Sequence, residues 1–128
     1  MSEIKKLLCE GAKTMNISLT DEQVRQLLDY HALINKWNKV YNLTSVRDPE
    51  QMLAQHVLDC LAAIPVVLQE FPSACDVLDV GSGGGLPSVV FAIACPHWRV
   101  TAIDAVAKKA AFVQTVAHTL KLANLHSI

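Results

Sequence analysis

Four of the chain's five glycines fall within five residues, Gly81-Ser82-Gly83-Gly84-Gly85, directly after the short apolar run Asp76-Val77-Leu78-Asp79-Val80. Such a cluster weakens a fold unless its backbone freedom serves a turn or a ligand contact. A strand running into a glycine loop, followed by the apolar stretch Leu86 to Ala94 as a buried helix, is a device that places a ligand at the carboxyl edge of a parallel sheet. Trp98 to Ile103 reads as a second strand and Ala107 to Leu120 as a second helix, with Ala110, Val113, Val116, Ala117 and Leu120 inward. Leu125 to Ile128 resembles the opening of a third strand. This alternation predicts an α/β, Rossmann-like parallel sheet. Parallel sheets are covered on both faces and usually exceed three strands, so the chain is expected to be the front part of a longer protein.

Upstream the period changes to that of helices. Ile4, Leu7 and Leu8 suggest a short amphipathic helix closed by Gly11. Thr20 and Gln23 have the spacing of a capping box, and Val24, Leu27, Leu28, Ile34, Trp37 and Tyr41 continue a helix expected over 21–39. Asp48-Pro49 is another start signal, for a helix over about 50–63 that Pro65 ends or bends. The expected division is a helical cap over 1–70 and the first half of a ligand-binding α/β domain over 71–128.

At 128 residues the chain has the size of one domain, and its 52% hydrophobic and 18% charged content leaves too much apolar surface for a disordered chain. The apolar run Leu61 to Leu68 is eight residues with Pro65 inside it, against the ~20 of a bilayer-spanning helix, so no transmembrane segment is expected. Residues Met1 to Lys6 hold no apolar stretch of signal-peptide length, so a cytoplasmic location is expected. A net charge of -1 carries no global footprint of a nucleic-acid binder, which confines any RNA contact to a local patch. Cys9, Cys60, Cys75 and Cys95 form no C-x-x-C pair and read as buried or half-buried thiols. His31, His97, His118 and His126 have no metal spacing, and no metal is expected.

The glycine loop can be read more closely. Gly81, Gly83 and Gly85 permit tight turning and leave no Cβ in the way of a ligand lying on the backbone. Asp104 ends the second strand, 23 residues after Gly81, where a carboxylate reaches the hydroxyls of a ribose. A dinucleotide fingerprint started at Gly81 requires a small residue where Leu86 stands, and no Lys-Ser or Lys-Thr follows the glycines as in a P-loop. Asp79, two residues before Gly81, repels a pyrophosphate but suits the positive amino-acid end of S-adenosylmethionine.

Three stretches, Trp37-Asn38-Lys39-Val40-Tyr41-Asn42-Leu43-Thr44-Ser45, His56-Val57-Leu58-Asp59-Cys60 and Leu78-Asp79-Val80-Gly81-Ser82-Gly83-Gly84-Gly85-Leu86-Pro87, resemble the RsmG family, also called GidB. That resemblance covers essentially the whole chain. It implies a class I methyltransferase sheet preceded by a helical cap, S-adenosylmethionine as cofactor, and methyl transfer to N7 of a guanine in 16S ribosomal RNA of the small ribosomal subunit. Carried over by position, Gly81, Gly83, Gly85, Leu86 and Asp104 would hold the cofactor, with Asp79 in support. The family often has Arg before the motif histidine and Ser after the motif aspartate, where this chain has Gln55 and Cys60. It also continues through further strands.

Attack by guanine N7 uses a free lone pair and needs no general base, so alignment is the main catalytic task and no catalytic residue is named. His56 and Asp59, three apart, would share one side of their helix, either fixing the cap on the sheet or lining the RNA or cofactor cleft. Trp37, Tyr41 and Asn42 serve core packing and a turn, or else contact an extruded base. Lys36, Lys39 and Arg47 form a loose basic cluster that either neutralises phosphates or is a solvated face. Lys108 and Lys109 open a helix, an unfavourable end for cations, which leaves room for a phosphate partner. Two other functions fit the same residues: a small-molecule methyltransferase, and a non-catalytic module that associates with itself through a strand edge left open.

Overall fold

The computed structural model describes residues 3–41, 43, 48–73 and 75–128. Helices α1 (Glu3–Thr14) and α2 (Asp21–Tyr41) are followed by α3 (Pro49–Met52), a π-helical turn (Leu53–Leu58) and α4 (Asp59–Glu70). The α/β part then runs β1 (Asp76–Val80), α5 (Ser88–Ala94), β2 (Arg99–Ile103), α6 (Ala107–Thr119) and β3 (Leu125–Ser127). The three strands are parallel in the order β1-β2-β3. This is the expected α/β, Rossmann-like fold with a helical cap.

Register explains which face is covered. Val77, Val100 and Leu125 form one row across the sheet, and Asp79, Ala102 and Ser127 another on the same face. These rows face α5 and α6, because two crossovers stepping in one direction put both helices on one side. The rows between them, Leu78 with Thr101 and Val80 with Ile103, lie on the other face, where Leu78 is 61% and Val80 74% exposed. Helix α5 buries every residue from Ser88 to Ile93, since α2 and α4 pack on the side away from the sheet. Cap and α/β part therefore share one core, from Leu8, Leu27 and Ile34 to Val89, Trp98 and Phe112.

Several helix boundaries differ from expectation. Gly11 lies inside α1, where its missing Cβ would stand 2.8 Å from Leu58 Cδ2, so the glycine serves a close helix approach. Asn16 ends α1 instead, at φ 57°, with the paired Asn16 N–H to Lys13 and Ile17 N–H to Ala12 bonds of a Schellman turn. Helix α2 extends to Tyr41. Pro65 does not stop α4, whose residues Ile64, Val67 and Leu68 on either side of it still pack on the core. Helix α5 begins at Ser88, since Leu86 and Pro87 complete the glycine turn. Pro49–Glu70 forms 22 continuous helical residues, long and apolar enough by length and composition to cross a membrane. The expectation of no such segment counted only unbroken apolar runs. Here Met52, Leu53, Val57, Leu61 and Ile64 of that helix lie in the core.

Both expected N-terminal caps form. Thr20 and Gln23 bond reciprocally at 3.1 and 2.8 Å, and Gln23 Nε2 also donates to the Ile93 carbonyl, tying α2 to the end of α5. Asp48 accepts from the Gln51 N–H at 3.0 Å. The thiols of Cys9, Cys60, Cys75 and Cys95 are free and buried or half-buried. At the other end of the sheet, Asn124 Nδ2 donates to the carbonyls of Trp98 (2.9 Å) and Ala92 (3.1 Å).

Asn124→Ala leaves these carbonyls short of a donor, and urea denaturation is expected to show a loss of about 1–3 kcal/mol. A loss below about 0.5 kcal/mol would mean that water takes over the role. Among the described residues β1 pairs only with β2, so its outer edge offers free N–H and C=O groups beside exposed Leu78 and Val80. Light scattering is expected to show self-association rising with concentration, and Val80→Lys to suppress it. A monomer at high concentration with slowly exchanging Val77 to Val80 amides would show the edge to be covered another way.

Candidate functional site

Pairing of Val80 with Ile103 sets the loop after β1 beside the turn after β2. The N–H groups of Gly81 and Ser82 both donate to the Ile103 carbonyl, at 2.7 and 3.1 Å, and those of Gly85 and Leu86 return to the Ser82 carbonyl, at 2.9 and 3.2 Å. This path requires φ of 74°, 56° and 88° at Gly81, Gly83 and Gly85, a region that side chains other than glycine's rarely adopt. The three glycines differ in what they face. Among the described residues a Cβ on Gly81 or Gly83 meets nothing within 4 Å, whereas one on Gly85 lies 2.5 Å from Val89 Cγ2 and 3.3 Å from Tyr30 Oη. Gly85 is thus required for packing, and Gly81 and Gly83 border open space.

Two carboxylates flank this loop. Asp104 accepts from the Val106 and Gly83 N–H groups, both at 2.8 Å, and these bonds hold its carboxyl below the usual range. Asp79 accepts from the Ser88 N–H at 3.2 Å. Burial raises the Asp79 carboxyl above its ordinary value, with Ser88 and then Asp104 acting after it in opposite directions. The Ser88 hydroxyl lies beside this carboxylate without a hydrogen bond of sound geometry, and is fully buried. Asp79, Gly81, Gly83 and Asp104 therefore converge on one sheet edge, with Leu86 half-buried at the exit of the loop.

The cap closes the site from behind. Tyr30 on α2 is wholly buried and donates to the Gly84 carbonyl at 2.6 Å, and burial pushes its phenol well above the ordinary value. Cys60 on α4 is pushed up to about 12, first by burial and then by the charges of Asp59 and Asp79, which leaves it an inert thiol. Neither Tyr30 nor Ser88 stands out as a site residue in the sequence. The signal for Tyr30 is its place in the inward column Leu27, Tyr30, Ile34, which the glycine loop meets in space.

The remaining candidates are more scattered. Lys36 and Lys39 are exposed on α2, and Asn42 and Arg47 lie outside the described residues. Trp37 packs its ring 5.2 Å from that of Phe112, the packing alternative for that residue. His31 is buried, with Nε2 2.8 Å from the Pro49 carbonyl. His56 is half-buried in the π turn and Asp59 is exposed at the start of α4. His56 lies inside the π turn and Asp59 just beyond it, so the α-helical spacing assumed for the pair does not hold across this segment. Lys108 is exposed, and the charge of Lys109 acts on Asp104.

A family model described as rRNA small subunit methyltransferase G matches residues 23–128. Three curated relatives are each named ribosomal RNA small subunit methyltransferase G. The Acidovorax ebreus (strain TPSY) protein is 51% identical over 99% of this chain and 60% of its own length. Those of Polaromonas sp. (strain JS666 / ATCC BAA-500) and Burkholderia ambifaria (strain MC40-6) are 54% and 55% identical, over 92% and 95% of this chain and 54% and 53% of their own lengths. The chain thus spans little more than half of each. Since the matched region runs from the cap through all three strands and contains both carboxylates and the loop they flank, this chain belongs to the rRNA small subunit methyltransferase G family.

Proposed function

We propose that the whole protein transfers a methyl group from S-adenosylmethionine to N7 of a guanine in 16S ribosomal RNA, in the cytoplasm, and that this chain carries the loop that binds the methyl donor. The observation that carries this reading is the open edge over Gly81 and Gly83, bordered by the Asp104 and Asp79 carboxylates. A ligand lying on this edge touches backbone rather than side chains, which suits a flat nucleoside. Asp104, already aligned by two N–H donors, is placed to accept from ribose hydroxyls. Asp79 is raised by burial, and a neighbouring ammonium favours its charged form. Gly81 and Gly83 give the room, while Gly85 and Leu86 set the exit of the loop. When bound, S-adenosylmethionine supplies an electrophilic methyl on a sulfonium that departs as a neutral thioether. The chain's own task is to hold that donor so the acceptor nitrogen approaches in line.

The relatives' names support a ribosomal RNA substrate. On this chain Lys36 and Lys39 are exposed on α2 in the cluster with Arg47, and the charge of Lys109 reaches Asp104 at the donor edge. We propose the former three as the phosphate-facing group.

For cofactor binding, calorimetry with S-adenosylmethionine is expected to show that Asp104→Ala weakens affinity about tenfold or more through the lost ribose bonds. Gly83→Val is expected to weaken it further, by filling the open edge and straining a positive φ. Unchanged affinity in both variants would remove this loop from the cofactor site. For RNA, replacing Lys36, Lys39 and Arg47 together by Ala is expected to flatten the slope of log K against log salt by about 2 to 3 units. A slope that does not move would point to a small-molecule acceptor or to a different RNA surface.

A further inference from the structure

We infer that Tyr30 is the positioning residue of the glycine loop: through one buried hydrogen bond the helical cap sets the shape of the cofactor-binding edge. The inference rests on the cofactor reading above and extends it to a residue outside the α/β part. Tyr30 Oη donates to the Gly84 carbonyl at 2.6 Å, and Tyr30 and Gly84 are both buried. The N–H of the same Gly84–Gly85 peptide unit donates to the Ser82 carbonyl at 2.9 Å, so this plane is held at both ends. Without the hydroxyl, the Gly84 carbonyl would be buried and lack that donor, at a site flanked by glycines on both sides, where little else resists rotation of the peptide. Rotation breaks the turn back to Ser82. Gly83, one residue earlier, then loses the orientation in which its N–H holds the Asp104 carboxylate.

The geometry separates this role from simple packing. The ring of Tyr30 packs in the core near Phe112, with centroids 6.5 Å apart, and Tyr30→Phe keeps that ring while removing only the hydroxyl. Gly85 itself leaves no room, since a Cβ on it would stand 3.3 Å from Tyr30 Oη. The hydroxyl and the missing Cβ thus form one fitted contact between α2 and the loop.

The test uses the 128-residue chain and its Tyr30→Phe variant. Hydrogen exchange read by NMR is expected to be about tenfold faster or more at Gly83, Gly85 and Leu86 in the variant, and unchanged within about twofold at Val100 and Ala102 of β2. Calorimetry of the whole protein with S-adenosylhomocysteine is expected to show affinity about tenfold weaker in the same variant. In the unaltered chain the Tyr30 hydroxyl proton is expected as a slowly exchanging resonance with a cross-peak to the Gly85 protons, which tests the contact even if the variant does not fold. Equal acceleration in loop and sheet, or no acceleration at all, would overturn the positioning role and leave Tyr30 as core. Absence of the hydroxyl resonance together with unchanged affinity would do the same. If the unaltered whole protein binds no S-adenosylhomocysteine, the cofactor reading fails by itself, and the exchange at Gly83 to Leu86 still decides the role of Tyr30.

Discussion

Helix α5 has no polar side, and the rest of the structure follows from having to cover it. Ser88 to Ile93 are all buried, so the sheet can shelter only one flank of the helix and something else must shelter the other. Helices α2 and α4 do so, with Leu27, Ile34, Leu61 and Ile64 in the shared core. Burial of several large side chains at roughly 1.5–3 kcal/mol each makes this contact a major stabilising term, and it removes any independence of cap and α/β part. The same contact brings α2 over the glycine loop. Stability and site geometry therefore come from one packing event.

Much of this was legible from local chemistry. The Thr20–Gln23 and Asp48–Pro49 signals mark helix starts because a cap is a short-range interaction written within four residues. The strand, the glycine loop and Asp104 were legible because a parallel βαβ unit fixes where the loop and the next strand end must meet. What escaped was tertiary in origin. Gly11 reads as a stop, yet it sits where Leu58 presses on α1, a contact between residues far apart in the chain. The π turn at Leu53–Leu58 has no sequence mark, and it interrupts the α-helical spacing assumed for His56 and Asp59. Tyr30 carries no mark in the sequence because its partner is a backbone carbonyl 54 positions away.

The glycines also divide their work in a way that their spacing hides. Gly85 answers to Val89, Val113 and Tyr30, so its lack of a side chain belongs to the interior. Gly81 and Gly83 serve the positive φ of the turn, and a Cβ on either meets nothing within 4 Å among the described residues, so their lack of a side chain belongs to the backbone path and the open edge. A G-x-G-x-G pattern thus combines a packing requirement with an opening, and substitutions along it would fail for different reasons.

Asp79 and Asp104 are displaced in opposite directions, the first upward by burial and the second downward by two N–H donors. As acidity rises the edge therefore loses its charge from one end first: Asp79 takes up a proton while Asp104 is still ionised. Between those two events the edge is polarised along its length, with an anionic half that still accepts from hydroxyls and a neutral half that no longer attracts a cation. A zwitterionic ligand spanning both halves would loosen at its amino-acid end before its sugar end as acidity rises.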